Sequence, residues 1–114
     1  MPERDWRILV EDMREHAIRA ISHLGDRTLE DFIKDALVQD GVIRCLEIIG
    51  EAARHVPEDV RVRAAVVPWG QIVATRHILA HHYARVDLET VWRVTRERLP
   101  ELVAALTTLL DDAP

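Results

Sequence analysis

The chain has 114 residues, 48% of them hydrophobic, with a formal net charge of −5, four glycines and five prolines. That length suits a single domain over residues 1–114, the apolar content excludes a disordered chain, and so few turn residues argue against an all-β fold. No run of about 18 uncharged apolar residues is present, so no membrane span is expected. Met1-Pro2-Glu3-Arg4-Asp5 lacks the apolar core of a signal peptide. Cys45 is alone and can form no internal disulfide. A cytoplasmic protein is therefore expected.

The periodicity is helical throughout. Trp6, Leu9, Val10, Met13, Ala17, Ile21 and Leu24 recur every three or four residues and predict a first helix over 3–24. Gly25-Asp26 ends it. Thr28 reads as the cap of a short helix over 29–37, with Glu30 and Asp31 in its first turn. Val42, Leu46, Ile49 and Ala53 predict a helix over 40–55. Gly50 inside it is less favourable than alanine by about 1 kcal/mol, which a close approach of another helix would explain. Pro57 ends that helix, and 57–64 reads as a short turn or helix. Val66-Val67-Pro68-Trp69 leads into a fourth helix, since proline is tolerated in a first turn. Ile72, Val73, Thr75, Leu79 and Ala80 supply its apolar surface, and it is expected to stop near His82-Tyr83.

Asp87 reads as the cap of a last long helix, with Glu89 in its first turn. Leu88, Val91, Trp92, Leu99, Leu102, Ala105, Leu106 and Leu109 form its stripe, and Pro100 inside it is expected to kink or split it. The predicted fold is all-α, an up-and-down bundle of four to five helices.

Charge is unevenly spread. Residues 1–60 hold 8 basic and 14 acidic side chains, residues 61–100 hold 7 arginines against 3 acids, and residues 101–114 hold 3 acids alone. A local basic segment on an acidic chain fits a small phosphate-bearing target better than long duplex DNA. The same distribution also fits a merely solvated surface, so the chemistry has to come from particular residues.

Those residues lie in Arg76-His77-Ile78-Leu79-Ala80-His81-His82-Tyr83. Arginine is a fixed cation whose planar fork of donors suits phosphate, and histidine exchanges a proton near neutral pH. When a ribose 2′-hydroxyl attacks the adjacent phosphorus, a proton moves and negative charge builds on the phosphate oxygens. His81 could do the first and Arg76 could stabilise the second. Arg76 and Tyr83 share a helix face, whereas Arg76 and His81 are splayed by roughly 140° on an ideal helix. They converge only if the helix unwinds near His81 or a second copy supplies the partner group, so the spacing hints at a dimer.

Other residues carry weaker signals. His77 and His81 have a spacing that can bind a metal, but no third ligand in register completes a set, and no metal is expected. Arg44, Glu47 and Glu51 lie on one helix and form either a solvated edge or a wall of the cleft. Trp69 and Trp92 could stack on bases but are read as core. Cys45 is read as a buried thiol.

Five stretches together carry a resemblance to a known family. They are Gly41 through Ala53, Val67-Pro68-Trp69, Arg76 through Tyr83, Val86 through Trp92, and Leu99-Pro100-Glu101-Leu102. In order and spacing the chain resembles the HepT-like toxins of the HEPN superfamily. That resemblance implies a dimeric helical bundle with metal-independent endoribonuclease activity, using no cofactor, in which Arg76 and His81 match the catalytic pair and His77 and Tyr83 support it. It also implies a type VII-like toxin–antitoxin system with a partner, a minimal nucleotidyltransferase of the MntA type. Such a partner transfers AMP to the motif tyrosine, here Tyr83, and so silences cleavage of tRNA or mRNA. Two positions depart from the pattern: His77 stands where asparagine is frequent, and His82 where glycine is frequent.

Two other functions fit the same residues. The chain could be a non-catalytic, nucleotide-binding regulatory subunit of a nucleotidyltransferase complex, in which Arg76 binds phosphate without breaking a bond. It could also be a structural helical dimer whose motif residues satisfy one another.

Overall fold

The apolar stripe at the start of the chain forms α1 (Glu3–Leu24), in which Trp6, Val10, Met13, Ala17, Ala20 and Leu24 are all buried. The computed structural model describes the backbone of residues 3–81 and 87–112 and the side chains of 5–79 and 87–112. His82, Tyr83 and the side chain of His81 lie outside these. Gly25 ends α1 in the left-handed region, with φ at 55°, where a side chain would be strained.

The next helix, α2 (Leu29–Ile33), starts on the expected cap. Thr28 Oγ1 accepts from Asp31 N at 3.1 Å, and the Asp31 carboxylate accepts from Thr28 N at 3.4 Å. The helix is shorter than the predicted 29–37 because Asp35 opens a new one. Its Oδ1 accepts from Val38 N at 3.2 Å, so α3 (Ala36–Arg54) begins ahead of the predicted residue 40. Gln39 closes the junction, its Nε2 donating to the carbonyls of Phe32 and Ile33 at 2.9 and 3.0 Å.

Pro57 ends α3 and precedes α4 (Glu58–Arg61), which runs into a 3₁₀ turn at Val62–Ala64. Then comes α5 (Trp69–His81), followed by α6 (Leu88–Arg93). Asp87 caps α6 as expected, its Oδ1 accepting from Glu89 N at 3.0 Å and Thr90 N at 3.4 Å. Pro100 acts through a wide turn. Val94–Arg98 winds as a π-helix, Leu99 N donates to Val94 O five residues back, and α7 (Leu99–Asp112) resumes with Pro100 in its first turn. There the missing N–H is tolerated.

Among the described residues there is no strand. The long helices lie in the spatial order α5, α3, α1, α7, with α2 against α6, which is the all-α bundle read from the sequence. Polar contacts fasten its ends. Arg7 Nη2 donates to Leu110 O at 3.1 Å, tying α1 to α7. Arg96 donates to the carbonyls of Gly25 and Arg27 at 2.7 Å each, and Trp92 Nε1 also donates to Arg27 O at 3.0 Å. Trp69 is buried, its Nε1 donating to Ala64 O at 3.1 Å. Both tryptophans therefore belong to the packing, as the sequence reading favoured. Thr75 departs from the predicted apolar face of α5 and is exposed, its hydroxyl donating to Gln71 O one turn back.

The contact of α3 with α5 runs through Gly50. A Cβ there would collide with Cβ of Arg76 and lie 2.9 Å from its Cγ and 3.0 Å from the Ile72 carbonyl oxygen. This is the close approach that the unfavourable glycine called for. Gly50→Ala should destabilise the protein by about 1–3 kcal/mol through overpacking, although alanine is the better helix former. Urea unfolding checks the sign, and a gain in stability would mean that α5 moves aside freely.

Candidate functional site

Gly50 lets α5 settle on α3 so that Arg76 emerges beside the next residue of α3, Glu51. Arg76 Nε lies 3.2 Å from Glu51 Oε2. The other carboxylate oxygen, Oε1, lies 3.2 Å from His55 Nε2 and 3.5 Å from Arg54 Nη2. One carboxylate thus joins two helices and three nitrogen-bearing side chains. Around them is a groove of about 420 Å³, walled by Leu9 and Asp12 of α1, by Arg44, Glu47, Ile48, Glu51 and Ala52 of α3 and His55 just after it, and by Arg76 of α5.

His55 Nε2 is also 3.4 Å from Arg54 Nη2. It cannot donate to Glu51 and accept from Arg54 through one nitrogen at once. The bond to the carboxylate is shorter and goes to a charged acceptor, so Nε2 carries the proton and Arg54 is left to attract Glu51 directly. Glu51 Oε2 is shielded from solvent, yet it receives no well-aligned hydrogen bond. Its attraction to Arg76 is therefore mainly Coulombic, and a small rotation of either side chain would tighten it.

These surroundings hold the Glu51 carboxyl below its ordinary value. The His55 hydrogen bond is the largest cause, loss of solvent opposes it, and the charges of Arg54, Arg76 and His55 add to the lowering. The remaining wall charges are Asp12 of α1 and the two residues that the sequence grouped with Glu51. Arg44 Nη1 stands 3.9 Å from Glu47 Oε1, a loose pair between an exposed arginine and a half-buried glutamate. Burial pushes the Cys45 thiol up, against the charges of Arg19 and Arg44, which suits an inert buried side chain.

The structure therefore brings Arg44, Glu47, Glu51 and Arg76 to one groove. His77 is exposed and does not line it. The backbone of His81 ends α5, while its side chain and Tyr83 lie outside the described residues. The sequence reading missed Asp12, Arg54 and His55. His55 was the most accessible of these, since it stands four residues after Glu51. As for metals, Asp12, Glu15 and His16 are the one set of three close donors among the described residues. They share a single helix, with both carboxylates exposed and His16 Nδ1 donating to Asp12 O at 2.8 Å, which is an ordinary surface pattern.

Because the Glu51 carboxyl titrates below its ordinary value, its pairing stabilises the fold fully above that value and is lost as pH falls through the lower native one. The parent should therefore lead Glu51→Gln in urea midpoint at neutral pH by a small margin, since exposed ion pairs contribute little. That lead should shrink below about pH 4. A gap independent of pH would show that Glu51 acts through shape alone.

The comparisons bear on what such a site does. The ribonuclease HepT-like family model matches residues 13–109. A Thermococcus cleftensis protein named "Probable ribonuclease HepT" is 36% identical over 101 residues, covering 88% of this chain and 91% of its own. A Methanocaldococcus jannaschii protein named "Putative RNase MJ0127" is 33% identical over 112 residues, covering 98% of this chain and 93% of its own. "Putative RNase TTE0752" of Caldanaerobacter subterraneus is 33% identical over 100 residues, covering 84% and 89%. No solved structure matches the chain significantly. With the matched residues spanning α1 to α7 and an arginine-bearing groove between α3 and α5, the chain belongs to the ribonuclease HepT-like family.

Proposed function

We propose that this chain is a one-domain ribonuclease toxin that cuts RNA without a metal, in a cleft completed by a second copy of itself. The observation that carries the reading is the placement of Arg76, held beside Glu51 in an open groove, on the helix that continues to His81. A fixed guanidinium in a groove can meet a phosphodiester and stabilise the charge that grows on its oxygens when the 2′-hydroxyl attacks. His81 is the proton-transfer group, taking the proton of the 2′-hydroxyl or returning one to the leaving 5′-oxygen. DNA lacks the attacking group, so the substrate is RNA.

Helix geometry supports the dimer. The backbone of α5 is helical through His81, so no unwinding short of that residue brings its side chain round to Arg76. Five residues on a helix separate the two by roughly 140°. Two facing copies of α5 remove the difficulty, each lending one group to the other's cleft. The helix suits such a contact: it carries no acidic residue, Ala74 and Ile78 are exposed, and its main described neighbour is α3. His77 supports the motif, and Arg44, Glu47 and Glu51 wall the cleft.

The same reading includes a partner. A minimal nucleotidyltransferase of the MntA type acts as antitoxin and transfers AMP to Tyr83, two residues beyond His81. The added phosphate puts bulk and negative charge at the end of the motif, where RNA would have to bind. Among the described residues no helix is long and apolar enough to cross a membrane, and the proposed site of action is the cytoplasm.

Purified protein of unmodified mass, incubated with total cellular RNA in EDTA, should give discrete cuts. His81→Ala should lower the rate by about 10²–10⁴-fold with an unchanged unfolding midpoint, and Arg76→Ala should lower it by a comparable factor, with a midpoint reduced only by the small margin expected for losing its stem packing and its pair with Glu51. Absence of cleavage by the unmodified parent would sink the ribonuclease reading and favour a phosphate-binding subunit.

A further inference from the structure

The groove contains an arrangement that the cleavage chemistry does not require: the guanidinium meant for phosphate already faces a carboxylate. We infer that Glu51 is the positioning residue of Arg76, anchoring the guanidinium at Nε while His55 and Arg54 hold the other carboxylate oxygen in place. This inference rests on the ribonuclease reading for what Arg76 does, but not for how Arg76 is held.

The geometry is specific. Arg76 meets Glu51 through Nε, at 3.2 Å, so the two terminal nitrogens are the edge that a phosphate can approach. An arginine side chain has four rotatable bonds and would otherwise sample many positions. Here it is restrained at both ends. Its Cβ and Cγ fit the notch left by Gly50, and its Nε is drawn to Glu51. The carboxylate is restrained in turn, because Oε1 accepts a hydrogen bond from His55 Nε2 at 3.2 Å and faces Arg54 Nη2 at 3.5 Å. No other described carboxylate lies within ion-pair distance of Arg76, and Asp12 and Glu47 stand elsewhere on the groove wall.

Glu51 also tempers the charge of the site. A bare guanidinium in an open groove would take any small anion. Paired with a carboxylate, Arg76 is a weaker trap for free phosphate, while its terminal nitrogens still answer the extra charge of a transition state. Glu51 therefore acts on the chemical step more than on the affinity for RNA.

Two readouts test this separately. The first needs no activity: the Nε–H signal of Arg76 in nitrogen-edited proton NMR, assigned by its loss in Arg76→Lys. Glu51→Gln should shift that signal and speed its exchange with solvent, and His55→Ala should do so to a smaller degree. The second is kinetic. Glu51→Gln should lower kcat on RNA by about 10- to 100-fold with KM within about threefold, and Glu51→Asp should recover part of the loss. Glu51→Gln should add nothing on an Arg76→Ala background, a coupling that a general structural role would not give.

An Nε–H signal indifferent to Glu51→Gln would overturn the inference, whether or not the protein cuts RNA. A moved signal with unchanged kcat would overturn the positioning role while leaving the ion pair. A parent that cuts no RNA would overturn the ribonuclease reading instead, and the NMR result would still decide whether Glu51 holds Arg76.

Discussion

The missing side chain at Gly50 is the constraint on which the site depends. Because α3 carries no Cβ at that point, α5 lies close enough for the stem of Arg76 to fill the space and for its Nε to reach Glu51. Any larger residue would push the two helices apart at the place where the groove charges meet. The glycine is unfavourable for the helix that contains it, and that local penalty is offset by a contact between helices. It is an ordinary trade in helix packing, where small residues permit close approach. Here it falls beside the one arginine of α5.

The electrostatics follow from the same contact. The chain is acidic overall, yet the groove sets its cations beside acids: Arg76, with His55 and Arg54, at Glu51 and, more loosely, Arg44 at Glu47. Charge that is paired but still half accessible neither destabilises the fold strongly nor attracts every passing anion. It can be redirected toward a substrate when one arrives. The buried thiol of Cys45 and the packed indole of Trp69 lie outside this chemistry, and their burial explains them as core.

What could be read from the chain alone was mostly local. The caps at Thr28 and Asp87 were legible because each acts on backbone groups two or three residues away. The stripe of α1 was legible because its period is set by the helix itself. The start of α3 was not, because Asp35 ends one helix and opens the next with neither glycine nor proline to mark the place. Pro100 announced a disturbance but not its form, since the π-turn at Val94–Arg98 lies ahead of the proline and no short-range rule places it there. The site divides in the same way. The grouping of Arg44, Glu47 and Glu51 came from helix periodicity. The link from Glu51 to Arg76 did not, because it joins two helices and no short-range rule predicts it. His55 stood within reach of such a rule, four residues from Glu51, and went unremarked because nothing in the sequence set that carboxylate apart.

The central claim is that RNA is cut by its own 2′-hydroxyl at Arg76 and His81 rather than by a metal-activated water. The chemistry of the cut ends tests it most directly. RNA incubated with the protein in EDTA should yield fragments with 2′,3′-cyclic or derived phosphates and free 5′-hydroxyls, and a single 2′-deoxy nucleotide at the cut site should block the reaction. Fragments bearing 5′-phosphates, formed only when a divalent cation is supplied, would contradict the account.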